Sequence, residues 1–367
     1  MENITVIGIG KLGLGFALLL EQSGYNVLGI DIFPDYVKSL NNKTYQCLEP
    51  SYNELIQNAV HFRASTDLQE GLDFSSILFI IVQTPSGGGE KFYDHTILSN
   101  LLIKINKLKC ANKHIIIGCT TMPGYTDNIA KTLIKDCINC SISFNPEFVA
   151  QGSIIQDFKH PDIILVGTDN DALRPILKDI YDKMSINTPV YCFLKPTEAE
   201  ITKICLNSYI TTKISFANMI SDLCDTLGAD KEVVLKSVGS DSRVGNKYFS
   251  AGYSFGGPCF PRDTKALSLL MQQNNIPNDL LIATTKYNQY HVIFQANKLL
   301  NDNTNEFIFT NVCYKENSII PIIEESAKLK IAYYLTQHGK KVTIRDTQEI
   351  ILETIKEYGN AFTYEIL

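Results

Sequence analysis

The chain opens on a short apolar run, residues 3–8, that ends in glycine. A run of that length bounded by a turn residue predicts a buried strand. Residues 13–23 carry helical spacing, and residues 25–31 form a second apolar run. Strand, turn, helix and strand in this order have the length of one parallel crossover unit. Further buried strands are predicted at 77–82, 114–118, 140–144 and 162–166, with helical stretches between several of them. Such alternation predicts an α/β domain with a parallel, doubly wound sheet covered on both faces.

The pattern changes near Pro196. Residues 197–227 read as one long helix without Pro or Gly, and a second helical patch follows at 230–238. A helix of that length often joins domains or packs against a second copy. Alternation returns near 305, with strands predicted at 307–313 and 341–344 and helices at 322–338 and 348–358. The expected organisation is therefore an N-terminal domain over 1–195, a central helical and dimerising domain over 196–295, and a smaller C-terminal α/β domain over 296–367. No internal repeat or low-complexity tract interrupts it.

Composition bounds this picture. At 367 residues the chain exceeds one ordinary core. Hydrophobic residues at 45% and charged residues at 20% fit a soluble globular protein. A net charge of −6 argues against a nucleic-acid or acidic-membrane partner but leaves room for local phosphate pockets. The ten cysteines are scattered, and nothing resembling a signal peptide precedes the first strand. They read as reduced thiols of a cytoplasmic protein. Cys137 and Cys140 form one close pair, which reads as incidental spacing, with a redox or metal pair as the alternative. No metal is expected. No apolar run reaches the ~18 residues that a membrane span requires.

Gly8-Ile9-Gly10-Lys11-Leu12-Gly13 is a G-x-G-x-x-G that follows a predicted strand and opens a predicted helix. The first glycine permits the tight turn, the second lets a pyrophosphate approach the backbone, and the third lets helix and strand pack closely. The helix N-terminus adds N–H groups and partial positive charge. Asp31 ends the second strand, 18 residues after Gly13. A carboxylate there accepts hydrogen bonds from a ribose and repels a 2′-phosphate, which favours NAD over NADP. A glycine turn that binds nothing is the bland alternative, and the fingerprint alone names no reaction.

Three further stretches carry chemistry. In Gly256-Gly257-Pro258-Cys259-Phe260-Pro261-Arg262-Asp263 a cysteine follows two glycines whose free amides could stabilise an oxyanion. Arg262 and nearby lysines favour a thiolate. A thiol of this kind is otherwise a small buried hydrophobe. Lys203 and Asn207 are four apart in the long helix and share a face suited to binding a substrate oxygen, although such a pair is more often a solvated face. Asn145-Pro146-Glu147-Phe148 follows a predicted strand, and Thr121 ends another. Carboxyl ends of parallel strands border the ligand crevice.

Taken in order, these motifs resemble the UDP-glucose 6-dehydrogenase family, within the UDP-glucose/GDP-mannose dehydrogenases, from residue 3 to about 268. The resemblance implies a Rossmann-like NAD-binding domain and a four-electron oxidation of a sugar-nucleotide C6 alcohol to a carboxylate with two NAD. It implies that Cys259 is the nucleophile, through a thiohemiacetal and then a thioester. Lys203 and Asn207 would stabilise the oxyanion, Asp263 and Thr121 would position or activate water, and Glu147 would assist proton transfer. Gly8, Gly10, Lys11, Leu12, Gly13, Asp31, Thr84, Thr121 and Arg262 would contact the cofactor. Glu147, Phe148, Lys203, Asn207, Arg243, Tyr248, Phe249, Gly256, Gly257 and Lys315 would contact the substrate, Arg243 across the interface of a homodimer.

The chain departs from the family at three places. Gln151 stands where Glu is usual, and Gln cannot act as a base. Arg262 replaces a lysine, which favours an anion contact over proton transfer. Glu324 replaces an arginine that supports nucleotide binding. UDP-glucose is the leading substrate, since Pro258 stands where relatives acting on 2-acetamido sugars tend to carry His. GDP-mannose is the nearest competitor. A two-electron hydroxyacid-type dehydrogenase and a non-catalytic nucleotide-sugar-binding homologue are the alternatives from other classes.

Overall fold

The computed structural model describes residues 1–87, 92–302, 304–316, 318 and 320–367. It divides into two compact units, Met1–Lys203 and Ile204–Leu367.

The first unit is built on eight strands: β1 (Asn3–Ile7), β2 (Asn26–Ile30), β3 (Phe62–Ser65), β4 (Ile77–Ile80), β5 (His114–Ile117), β6 (Ser141–Phe144), β7 (Ile163–Gly167) and β8 (Val190–Leu194). They lie in the order β3-β2-β1-β4-β5-β6-β7-β8. The first six repeat the strand order of a dinucleotide-binding sheet, whose direction of winding switches between β1 and β4. Side chains alternate across the sheet. Ile4 and Val6 of β1 and Phe79 of β4 join one core with Phe16, Leu19 and Tyr181. Ile7, Leu28, Leu78 and Ile80 join the other with Leu102 and Ile117. Each such side chain contributes about 1.5–3 kcal/mol on burial.

Two features differ from the sequence-based expectation. Strands β3 and β8 are additional. Strand β7 runs antiparallel to β6, with Phe144 opposite Gly167, so the sheet is not wholly parallel. The connection between them contains only the six-residue helix Ile154–Lys159.

The second unit takes the long helix Pro196–Leu227 from residue 204 onward, then helices Lys231–Gly239, Phe260–Gln273 and Asp279–Leu300. A three-stranded parallel sheet follows: β9 (Glu306–Thr310), β10 (Lys341–Asp346) and β11 (Thr363–Ile366), ordered β11-β10-β9. Helices Ala327–Gln337 and Gln348–Tyr358 accompany it. The helix expected from 322 begins only at Ala327. Glu325 has a left-handed φ of 56°, and the Ser326 hydroxyl caps the helix by accepting from Leu329 N–H at 3.3 Å. Among the described residues, no helix is long and apolar enough to cross a membrane.

Candidate active site

The glycine-rich turn closes directly on β1. Gly8 has φ 89°, and a Cβ there would meet the Ile81 carbonyl oxygen at 2.4 Å. A Cβ on Gly13 would lie 1.9 Å from the Gly8 carbonyl oxygen, so helix Lys11–Gln22 approaches the turn at a distance that no side chain permits. Gly10 differs: a Cβ there would meet nothing within 4 Å. It heads the helix without a side-chain cap, so open space fronts the first-turn amides. These features fit a bound pyrophosphate. Leu12 packs against the core, while exposed Lys11 reaches the Gln151 side chain at 3.3 Å. Asp31 follows β2, beside the exposed Ile32 and Phe33.

Two contributors to this turn are not visible as motifs. The Tyr36 hydroxyl donates to the Ile9 carbonyl at 2.6 Å, and the Tyr52 hydroxyl donates to the Lys11 carbonyl at 2.6 Å. Both phenols are pushed well above their usual range, chiefly by burial. They stay protonated donors and fix the turn from beneath.

At the neighbouring strand ends, the Thr84 hydroxyl donates to the Thr120 carbonyl at 2.8 Å. Thr121 is fully buried, and its hydroxyl donates to Glu200 at 3.0 Å. Glu200 also accepts from the Gly124 and Thr126 amides and the Thr126 hydroxyl, at 2.6, 2.9 and 2.6 Å. Burial raises its carboxyl, opposed by these bonds. Glu200 lies in the quoted helix stretch, but nothing in spacing alone marks it as the acceptor for a turn some seventy residues away.

Lys203, 7% exposed, donates through Nζ to the Glu147 carbonyl and lies 4.1 Å from the Phe148 ring centroid. The Tyr181 hydroxyl lies 2.6 Å from Asn145 Oδ1 and 3.1 Å from Glu147 Oε1. Burial pushes the Glu147 carboxyl up to about 8, against the lowering effects of Tyr181 and Lys203. The first unit therefore brings together Glu147, Phe148 and Lys203.

In the second unit, Cys259 is exposed and is the N-cap of helix Phe260–Gln273. One turn on, Asp263 is 1% exposed and accepts from Asn207 Nδ2 at 2.6 Å. The Arg262 Nε lies 3.9 Å from Asp263 Oδ1. The segment before Cys259 is fastened on two sides. Asn288 accepts from Phe255 N–H at 2.8 Å and donates to its carbonyl at 2.9 Å. Buried His291 links Asp222 and the Gly252 carbonyl, each at 2.9 Å.

The glycines need a different explanation from the one their sequence suggests. A Cβ on Gly256 would lie 2.2 Å from the Glu325 carbonyl oxygen, and one on Gly257 would lie 2.4 Å from the Tyr314 ring. The Gly257 amide donates to the Glu324 carbonyl at 3.0 Å. The free-amide reading is therefore corrected for Gly257: close packing on the C-terminal segment requires the glycines. Phe249, 5% exposed, packs with Ala217 and Leu235, so its side chain belongs to a core. Tyr248 is 53% exposed at a left-handed φ of 59°. Such a φ is an outlier for an aromatic residue. Arg243 is held by Asp241 at 2.7 Å, with its side chain 87% exposed. Lys315 is also exposed.

Comparison with known proteins agrees with these features. The NAD-binding-domain model of the UDP-glucose/GDP-mannose dehydrogenase family matches residues 2–185, and the central-domain model of that family matches 197–290. A UDP-glucose 6-dehydrogenase of Rickettsia bellii is 30% identical over 303 residues, spanning 81% of this chain and 69% of the relative. A UDP-glucose 6-dehydrogenase of Bacillus subtilis is 32% identical over 308 residues, spanning 82% and 68%. The matched span is thus only about two thirds of each relative's length. The structure of a UDP-glucose dehydrogenase from Pyrobaculum islandicum superposes with a TM-score of 0.87 at 26% identity, covering 99% of this chain and 86% of that one. On these grounds the chain belongs to the UDP-glucose/GDP-mannose dehydrogenase family and carries its NAD-binding domain.

Proposed function

We propose that the chain oxidises the C6 alcohol of UDP-glucose to the carboxylate of UDP-glucuronate. The observation that carries this reading is the exposed Cys259 at the head of a helix, with buried Asp263 one turn on and bonded to Asn207. A simple two-electron alcohol dehydrogenase needs no thiol there.

The dinucleotide is held by the Gly8–Gly13 turn, with Asp31 at the ribose and the exposed Ile32 and Phe33 as an apolar surface for adenine. When bound, it supplies a hydride acceptor in each of two rounds. In the first, the alcohol loses a hydride and a proton and becomes an aldehyde. The Cys259 sulfur, at the positive end of a helix dipole, then adds to the carbonyl carbon to give a thiohemiacetal. Loss of a second hydride and a proton leaves a thioester. Water adds to it, the C–S bond breaks, and the acid and the thiol are released. Overall, alcohol, water and two NAD give carboxylate, two NADH and three protons.

Lys203 and Asn207 donate to the oxygen that gains charge at each stage. Asp263 orients the water, and Glu147, held at about 8, passes protons near neutral pH. Buried Thr121 directs its one proton to Glu200 and so holds in place the strand end that borders the water site. Arg262, with its fixed charge, contacts the cofactor's phosphates. The reading keeps the three-part domain organisation and a cytoplasmic setting.

It also includes a homodimer. Tyr209, Phe216 and Leu223 recur every seven residues on the long helix and are 66%, 48% and 52% exposed. Met219 and Leu227 extend the stripe. A stripe of that kind suits a second copy, which would place the exposed Arg243 to reach across. Light scattering that finds a monomer at micromolar concentration would count against this part.

The decisive assay offers UDP-glucose and GDP-mannose separately and follows NADH. About two NADH per UDP-glucuronate supports the proposal. One NADH per product points to a two-electron dehydrogenase, and turnover of GDP-mannose alone reassigns the sugar. Cys259→Ser should abolish acid formation while NAD still binds; unchanged turnover would refute the thiol mechanism.

A further inference from the structure

Cys110, Cys137 and Cys140 take no part in this chemistry. Cys110 precedes β5 and Cys140 precedes β6, both parallel to β1 through β4. The glycine-rich turn follows the carboxyl end of β1. The three thiols therefore lie at the opposite, amino-terminal edge of the sheet.

Cys110 Sγ is 3.6 Å from Cys137 Sγ and 3.9 Å from Cys140 Sγ, and all three sulfurs lie within 4.8 Å of one another. A tetrahedral zinc–thiolate centre with Zn–S of about 2.3 Å has sulfur–sulfur edges of roughly 3.8 Å. A disulfide needs about 2.05 Å and joins only two sulfurs. Two of the observed edges, 3.6 and 3.9 Å, lie close to the tetrahedral value and the third is at most 4.8 Å, so the three sulfurs converge closely enough to share one ion.

The turns that carry the sulfurs are built rather than loose. Ile138 N–H donates to the Cys110 carbonyl at 3.1 Å, and Asn112 N–H donates to the Ile138 carbonyl at 2.9 Å. Asn139 Nδ2 donates to Asn112 Oδ1 at 2.7 Å, and Asn106 and Asp136 exchange two bonds of 2.8 Å each. Asn139, between the paired cysteines, is left-handed with φ 52°, as is Asn112 with φ 56°. That geometry curls the C-x-x-C turn so that both of its sulfurs approach Cys110. Cys110 is 9% exposed, while the other two border a cleft of about 400 Å³ lined also by Lys131, Lys135, Ser141 and Asp169. An ion has a route in, and an external donor has a place to complete the coordination.

We propose that Cys110, Cys137 and Cys140 form a three-thiolate site for a thiophilic d10 cation, zinc(II) being the type ion. Binding forms three metal–sulfur bonds and releases three thiol protons to solvent. Lys135 also lines the cleft, whereas Lys131 is already paired with Asp127 and Asp169 at 2.7 and 2.6 Å. The ion ties the turn before β5 to the turn before β6, away from substrate and cofactor.

The test uses the reduced, metal-free full chain, titrated with zinc against a chromophoric chelator and with cobalt(II) by absorption. The expected result is about one ion per chain, with a sulfur-to-cobalt charge-transfer band and tetrahedral visible bands. Loss of an outer-shell partner already costs about 10–100-fold in metal affinity, so Cys110→Ser and the double variant Cys137→Ser/Cys140→Ser should lose at least that. Cys259→Ser should keep the site. Circular dichroism and unchanged NAD affinity will establish that the cluster variants are folded. The proposal is overturned if no ion is taken up, if uptake survives Cys110→Ser, or if it disappears with Cys259→Ser. Peptide mapping that finds Cys110 in a disulfide after anaerobic isolation would also overturn it.

Discussion

Glu147 links a local environment to a measurable pH dependence. Its carboxyl has an ordinary value of 4.5 and is held at about 8 by burial. Between those values the folded chain keeps a proton that the unfolded chain has released, so stability falls as pH rises through this window. Glu147→Gln keeps an oxygen for Tyr181 and removes the titration. Its urea midpoint should vary less between pH 5 and 8 than that of the parent chain, and an unchanged slope would show that Glu147 does not carry it. Tyr52 gives a second test. Tyr52→Phe removes the bond to the Lys11 carbonyl beneath the glycine-rich turn. A net hydrogen bond is worth about 1 kcal/mol, roughly fivefold in affinity. Fluorescence titration should show NADH binding weakened by about that factor, with the fold intact.

Among the elements, the segment leading to Cys259 depends on side chains from helix Asp279–Leu300. Asn288 satisfies both the amide and the carbonyl of Phe255, and the Ser254 hydroxyl donates to the Asn288 carbonyl at 2.6 Å. Asn288→Ala leaves two buried backbone groups without these partners, at a cost of about 1–3 kcal/mol. At about 2–4 °C per kcal/mol for a unit of this size, calorimetry should register a drop of several degrees. Turnover should fall further, because Cys259 follows the released segment. None of this was legible in the sequence, which offers Asn288 as one polar residue in a helix and never as a clamp on Phe255. Strands β1, β2, β4, β5 and β7 were legible because each is a short apolar run ended by a turn, and β6, Ser-Ile-Ser-Phe, because polar and apolar residues alternate along it. β3, Phe-Arg-Ala-Ser, carries too few apolar residues to show such a run. The direction of β7 depends on a connection, and connections carry no hydrophobic period. In the site, Gly8, Gly10 and Gly13 were readable because the backbone geometry there admits only glycine or leaves the approach open. Tyr36, Tyr52 and Glu200 were not, because each acts on a carbonyl or amide far away in the chain. Gly256 and Gly257 were visible as glycines, but their reason, the Tyr314 ring and the Glu325 carbonyl, lies in the C-terminal segment.

For the whole molecule, the balance of charge bears on how an anionic substrate is received. The chain carries a net −6, and although its second unit is close to neutral, acidic side chains gather there at one place. Glu324, Glu325, Glu353 and Glu357 line one cleft with Lys356. The Glu357 carboxyl is raised, first by burial and then by Glu325 and Glu324, after the opposing bond from Tyr358. A sugar nucleotide brings a diphosphate, and family resemblance puts an arginine at the position of Glu324. Reversing one charge near such a ligand costs attraction and adds repulsion, so this chain should bind its substrate more weakly than an arginine-bearing relative. Exposed charge pairs are worth about 0.2–1 kcal/mol each, or roughly 1.4- to fivefold in affinity. Glu324→Gln should therefore lower KM by up to about that factor at low ionic strength, with kcat unchanged. Near 1 M salt the screening length shrinks to about 3 Å, and the two chains should become indistinguishable in KM. A KM difference that survives high salt would mean that Glu324 acts through the packing of the Gly257 amide on its carbonyl, and not through its charge.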